Sequence, residues 1–193
     1  MSGNFTITDT AIPAVKLIEP KRFGDQRGFF SETYSRAAFL SAGIDLVFVQ
    51  DNHSLSQQVG TLRGLHFQSP PFAQDKLVRC PHGRILDVAV DIRRGSPSFG
   101  AHVAIELSEK NWRQLLVPKG FAHGFITLEA SSEVLYKVTA PYSAAHDFGL
   151  AFSDPALGID WPAPTDGAVL SDKDRRHPLL AELPAYFDYA DTR

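Results

Sequence analysis

The chain has 193 residues, 44% hydrophobic and 21% charged, which is the composition of a globular domain with a substantial core and excludes disordered and fibrous classes. Its formal charge of −3, with Lys and Arg scattered along the chain, offers no electrostatic footprint for nucleic acid or an anionic membrane. Met1 to Thr8 lacks the basic region and apolar run of a signal peptide, no later stretch has the apolar length of a membrane span, and one cysteine excludes an internal disulfide, so a soluble cytoplasmic protein is expected.

Helix signals are sparse. Ser35 can cap a helix over 36–42, and Gly43 stands where such a helix ends. The next marked segment is Gly60-Thr-Leu-Arg63-Gly-Leu-His66-Phe-Gln68. Read as a regular strand, it points Gly64, His66 and Gln68 to one face and Arg63, Leu65 and Phe67 to the other. An imidazole beside a glycine on a buried strand can line a cavity and act as a general base; it can equally be a core histidine bound to backbone. Lys76 and Arg79 follow on another strand-like segment, cations able to stabilise an oxyanion or hold a phosphate. Cys80, between Arg79 and Pro81, reads as an ordinary small buried residue.

From Arg84 to Arg93 the pattern alternates, with Leu86, Val88, Val90 and Ile92 opposite Asp87, Ala89 and Asp91; Val103, Ile105 and Leu107 repeat the period, as do Val134, Tyr136 and Val138. Half-buried strands are expected. Turn signals at His82-Gly83, 94–97, Lys119-Gly120 and Ala140-Pro141 fit an antiparallel sandwich or barrel rather than a βαβ fold. Tyr136 faces inward if Val134 and Val138 do, where a phenol either packs or offers a proton. Leu170-Ser-Asp-Lys-Asp174 is an acidic turn, readable as a solvated helix start, in an irregular segment that begins near Asp166 and carries one short helix capped by Ser171. No repeat or linker divides the chain, which is expected to form a single domain over 1–193.

Chemistry based on other motifs finds little support. No Gly-x-Ser-x-Gly elbow, Gly-x-Gly-x-x-Gly fingerprint or phosphate loop occurs. A metal site of the cupin type typically draws on His-x-His followed by Glu, whereas Gly64 stands where the first His would be. Convergence of His53, His66 and His123 keeps a metal reading as the minor alternative.

The ordered set 23–32 (Phe-Gly-Asp-Gln-Arg-Gly-Phe-Phe-Ser-Glu), 48–54, 62–68, 76–80, 117–125 (Val-Pro-Lys-Gly-Phe-Ala-His-Gly-Phe), Leu135-Tyr-Lys137 and 158–162 closely resembles the dTDP-4-dehydrorhamnose 3,5-epimerases, from about Thr8 to Pro178. The resemblance implies an all-β, cupin-like jelly-roll barrel (a double-stranded β-helix) with a short N-terminal helix and an irregular C-terminal segment. It implies a homodimer, without metal or other cofactor, that epimerises C3 and C5 of dTDP-4-dehydro-6-deoxy-D-glucose through an enolate. By the same resemblance His66 is the base, Asp174 the carboxylate orienting it, Tyr136 the acid, and Lys76 lies near the keto oxygen with Asp87 holding it. Gln50, Asn52, Arg63 and His123 match nucleotide-diphosphate contacts. Arg27, Phe30 and Glu32 match residues that reach into the neighbouring subunit's site, and Tyr142 stands alone where relatives often carry two aromatics. Competing readings are a single-site epimerase (C3 or C5) or 3,4-ketoisomerase on a related nucleotide sugar, a metal-dependent cupin enzyme, and a non-catalytic sugar-binding jelly roll. The tail 183–193 lies beyond the resemblance and is read as a docking strand or a frayed end.

Overall fold

In the computed structural model, which describes residues 3–162 and 167–192, two antiparallel sheets face each other. Met1, Asp166 and Arg193, used above as segment limits, lie outside the described residues. The strands are β1 (Phe5–Asp9), β2 (Lys16–Pro20), β3 (Phe23–Asp25), β4 (Gly28–Phe30), β5 (Gln50–Ser56), β6 (Leu62–Gln68), β7 (Lys76–His82), β8 (Arg84–Asp91), β9 (His102–Ser108), β10 (Gln114–Val117), β11 (Phe121–Thr127), β12 (Ser132–Val138) and β13 (Asp147–Gly149). One sheet runs β1-β2-β10-β7-β12-β5 and the other β13-β6-β11-β8-β9, while β3 and β4 form a separate hairpin. This is the cupin-like jelly roll that the motif set implies.

The helix α1 (Arg36–Ser41) forms where its capping residues place it: Ser35 Oγ accepts the Ala38 N–H at 3.4 Å, and Gly43, at φ +84°, donates to the Leu40 carbonyl at 3.0 Å. Its one buried side chain, Phe39, packs with Ile18, Leu77 and Leu116 on the outer face of the larger sheet. Between the sheets lie Val78, Cys80, Leu115, Val117 and Val134 from one side and Ile85, Ala89, Val103, Leu107, Phe121 and Phe125 from the other. Alternation thus holds in β7, where Leu77 and Val78 serve different layers.

A third layer changes the reading of β8. Val88, Val90 and Ile92 do not face solvent opposite an inner row; they are buried under Leu150, Phe152, Leu157, Trp161, Leu180, Leu183 and Phe187. The strand is therefore buried on both faces, not half-buried, because the described residues from Leu150 onward lie across the outer face of the smaller sheet. The tail docks as an extended partner: Arg94 N–H donates to the Phe187 carbonyl at 2.9 Å and Tyr189 N–H to the Arg94 carbonyl at 2.9 Å. Beside it Arg93 pairs with buried Asp91 at 2.7 Å and stacks on Phe121 and Tyr189, so both charge and stem are accounted for.

One irregularity decides where the site residues point. In the β11–β6 ladder His123 opposes His66 and Phe125 opposes Arg63, so three steps on β6 match two on β11: a bulge at Gly64-Leu65. Leu62, Leu65 and Phe67 consequently pack outward together, and Arg63 and His66 turn inward together. Both glycines at the crossing are sterically required. A Cβ on Gly64 (φ +121°) would lie 2.7 Å from Gly124 Cα, and one on Gly124 would lie 2.6 Å from the Arg63 carbonyl oxygen.

Candidate active site

The bulge opens one end of the space between the sheets into a cavity of about 260 Å3 lined by Arg63, His66, Lys76, His123, Tyr136 and Asp174, with Ser54, Gly124, Phe125 and Ser171. Assigning Arg63 and His66 to opposite faces is therefore corrected: the extra residue in β6 shifts the phase, and both side chains enter the same cavity. His66 and His123 come from the smaller sheet, Lys76 and Tyr136 from the larger, so the walls carry different chemistry.

Asp174 arrives from far along the chain. Val169 N–H donates to the Gly60 carbonyl and Leu62 N–H to the Val169 carbonyl, each at 3.0 Å, which ties 169 to the start of β6 and lays the following turn over His66. That turn is not a solvated helix start, because Asp174 is buried. Its Oδ2 accepts Ser171 Oγ–H at 2.8 Å and its Oδ1 lies 2.5 Å from His66 Nε2. With the proton of that bond on Nε2, Nδ1 keeps the lone pair. Burial is the largest single effect on Asp174 and pushes its carboxyl up, but His177, His66 and Ser171 outweigh it and hold the group far below the usual carboxylate range. Burial likewise dominates at His66, where it outweighs Asp174 and keeps the imidazole below its ordinary value of 6.5, with Lys76 and His177 adding to the effect. A neutral, oriented imidazole is a base ready for use near neutral pH.

Lys76 is buried, and its Nζ–H reaches across to the His66 carbonyl at 3.3 Å. Burial lowers its ammonium to about 8 against the opposing charges of Asp87 and Asp147. Asp87, expected to hold Lys76 in place, is buried with both its oxygens 3.0 Å from His123 Nε2 rather than hydrogen-bonded to the ammonium. Its effect on Lys76 is one of charge at a distance. Tyr136 is held in its protonated form by burial, which raises its phenol above 10.0. Arg63 is braced by Ser56 Oγ at 3.1 Å and the Leu55 carbonyl at 3.1 Å, leaving a cation at the rim.

Other expected contact residues lie outside this cavity. Gln50 donates to Asn52 at 2.8 Å on β5 and accepts the Tyr142 N–H at 3.2 Å, and Tyr142 is exposed with its hydroxyl 3.2 Å from Asp147. Arg27 is 90% exposed on the β3–β4 hairpin, paired with Asp25, and Phe30 is 70% exposed on the same hairpin, followed by Glu32. Sequence reasoning passed over Ser54, whose buried Oγ lacks a hydrogen-bond partner, and His177, which sits beside the dyad; neither falls in a pattern that period or spacing detects.

His53, His66 and His123 do not converge on a metal centre. His53 pairs with Glu133 at 2.8 Å on the surface, His123 with Asp87 and His66 with Asp174. Donor atoms of His66, Asp174 and His177 do lie within 4.8 Å of one another, but a 2.5 Å separation between Nε2 and Oδ1 is a hydrogen bond, shorter than the roughly 3.3 Å between two ligands of one tetrahedral zinc ion.

Comparison with known proteins places this geometry in context. The family model for dTDP-4-dehydrorhamnose 3,5-epimerase matches residues 9–182. The chain is 58% identical over 179 residues to dTDP-4-dehydrorhamnose 3,5-epimerase of Sinorhizobium fredii, covering 93% of this chain and 91% of that one. It superimposes with a TM-score of 0.92 and 46% identity on the crystal structure of dTDP-6-deoxy-D-glucose-3,5-epimerase from Legionella pneumophila in complex with dTDP-4-keto-L-rhamnose, covering 96% and 98% of the two chains. A 3'-monoepimerase of Streptomyces bikiniensis in complex with dTDP-quinovose gives a TM-score of 0.88 at 31% identity, with 94% and 93% covered.

Proposed function

The chain belongs to the dTDP-4-dehydrorhamnose 3,5-epimerase family, and from that premise we propose how its residues invert C3 and C5 of dTDP-4-dehydro-6-deoxy-D-glucose to give dTDP-4-dehydro-L-rhamnose. The observation that carries the reading is the placement of His66 and Tyr136 on opposite sheets, on either side of one cavity. Inversion at carbon needs a proton taken from one face of the ring and returned to the other.

His66, neutral and oriented by Asp174, takes the proton from the carbon next to the ketone through Nδ1. The C–H pair becomes the enolate C=C, and the carbonyl pair moves onto oxygen, where the Lys76 ammonium stabilises it. Tyr136 returns a proton to the opposite face, and the enolate collapses to the ketone. Imidazolium and phenolate then reset by exchange with water, so the cycle is redox-neutral. The second carbon follows by the same steps after the ring turns.

Arg63, a cation at the cavity rim, suits the diphosphate, and His123 on the same wall belongs to that set of contacts. The wider substrate contacts, Gln50, Asn52, Tyr142, Arg27, Phe30 and Glu32, belong to the same proposal, with the β3–β4 hairpin serving a second copy of the chain in a homodimer. Support for that is the exposure of Phe23, Phe29 and Phe30 together on the hairpin, apolar surface that a solvated monomer rarely presents. We also read 1–193 as one catalytic domain, since the C-terminal segment shares the core of the smaller sheet. The 58% and 46% identities to 3,5-epimerases against 31% to a monoepimerase favour action at both carbons over a single-site enzyme.

Purified protein given dTDP-4-dehydro-6-deoxy-D-glucose is expected to yield the doubly inverted product by NMR, and substrate returned unchanged would refute the reading. In the same assay kcat/KM should form a bell. The base works only when neutral, so activity rises with pH through an acid limb below 6.5 and is lost as Lys76 gives up its proton near pH 8. Lys76→Arg, which stays charged, should move the alkaline limb up to where the Tyr136 phenol, raised above 10.0, loses its proton; an alkaline limb unmoved by that change would assign it to another group.

A further inference from the structure

The dyad has a third member that the mechanism above does not use. The His177 side chain is 7% exposed, and its Nε2 is a buried nitrogen with no hydrogen-bond partner. Orphaned buried donors are rare enough to call for a reason. The nitrogen lies 3.5 Å from Asp174 Oδ1, the same oxygen that His66 Nε2 occupies at 2.5 Å. The two imidazole rings meet edge to face, centroids 5.4 Å apart at 81°.

This arrangement is built, not incidental. Gly149 pairs with His66 in the β13–β6 ladder, and a Cβ at 149 would lie 2.3 Å from His177 Cε1 and Nε2, so the strand leaves room for the ring directly beside the base. The next residue is pinned as well, the Pro178 carbonyl accepting the Ala151 N–H at 2.8 Å.

We propose that His177 is a positioning residue for the reaction: its ring, set edge to face against His66 with Nε2 3.5 Å from Asp174 Oδ1, confines the imidazole and the carboxylate to the orientation in which His66 works as a base. The inference rests on the reading of His66 as that base. Charged and titratable groups facing the pair are Lys76 from β7, Asp147 from β13, and Asp174, Lys173 and Arg176 from the turn that carries His177. Asp174 favours the charged form of His66, while burial, Lys76 and His177 itself oppose it. Losing His177 therefore lets His66 hold its proton to higher pH, and removes the ring that confines the dyad.

Two variants test this. His177→Leu removes the polar ring, and His177→Gln keeps a planar polar group near the position of Nε2. In His177→Leu, kcat at pH 7 should fall about 10- to 100-fold with KM within about twofold, the range known for groups that orient metal-ligating histidines. The acid limb should move to higher pH, and the His66 imidazole resonance of the ligand-free protein should titrate at correspondingly higher pH. His177→Gln should recover kcat to within about threefold while keeping the shifted limb. A wild-type His66 titration in His177→Leu overturns the proposal, as does equal loss of kcat in both variants with unmoved titration, which assigns the ring to packing. His66→Ala run beside them separates the two levels: wild-type exchange there sinks the base assignment itself, whereas an inactive His66→Ala with an unperturbed His177→Leu sinks only the inference about His177.

Discussion

His66→Ala is expected to abolish solvent exchange at both C3 and C5 together, with turnover down by ~10² to 10⁴. The reason is geometric. Among the described residues lining the cavity, His66 is the imidazole that Asp174 orients, whereas His123 is fixed by both oxygens of Asp87. A base with its proton on Nε2 and its lone pair on Nδ1 has one productive orientation, and no neighbour is placed to substitute. The fold should survive, since His66 is only partly buried and the outward row Leu62, Leu65 and Phe67 carries the packing of β6. Exchange at one carbon alone in His66→Ala would require a second base.

Tyr136→Phe is expected to separate two events that run together in the native enzyme. It deletes one hydroxyl and keeps the ring, so β12, held by Val134 and Val138 in the core, should be little disturbed. With His66 and Lys76 intact, the enolate still forms, and His66 returns the proton to the face it came from. Deuterium should therefore enter recovered substrate while inverted product falls by ~10² or more, the usual size of a lost general acid. Inversion at the native rate would make Tyr136 a packing residue and move the search to Tyr142, whose hydroxyl lies near Asp147 at the surface.

The motif order makes the fold and the cavity's central residues legible in the sequence: His66, Lys76, Tyr136 and Asp174 do share one cavity. Residue order was less informative about direction. Period-two reasoning assumes an unbroken ladder, and the bulge at Gly64-Leu65 has no signature in hydrophobic pattern, so Arg63 was placed on the wrong face. Burial of β8 on both sides was hidden for a related reason: the covering layer is contributed by residues from Leu150 onward, whose apolar positions follow neither period. Asp87 was matched to Lys76 by resemblance, while its bonds go to His123, because charge proximity and hydrogen bonding are different relations. His177 was invisible for the plainest reason. Its partner Asp174 is three residues away, but its role depends on Gly149 and His66, which only the folded chain brings alongside.

The central claim is that both inversions pass through an enolate formed and quenched by exchangeable protein groups. It is tested most directly by turning over dTDP-4-dehydro-6-deoxy-D-glucose in heavy water with the native protein and locating deuterium in the product by NMR. The account predicts deuterium at C3 and at C5 of dTDP-4-dehydro-L-rhamnose, each introduced with inversion. Inverted product carrying only protium at either carbon would contradict it.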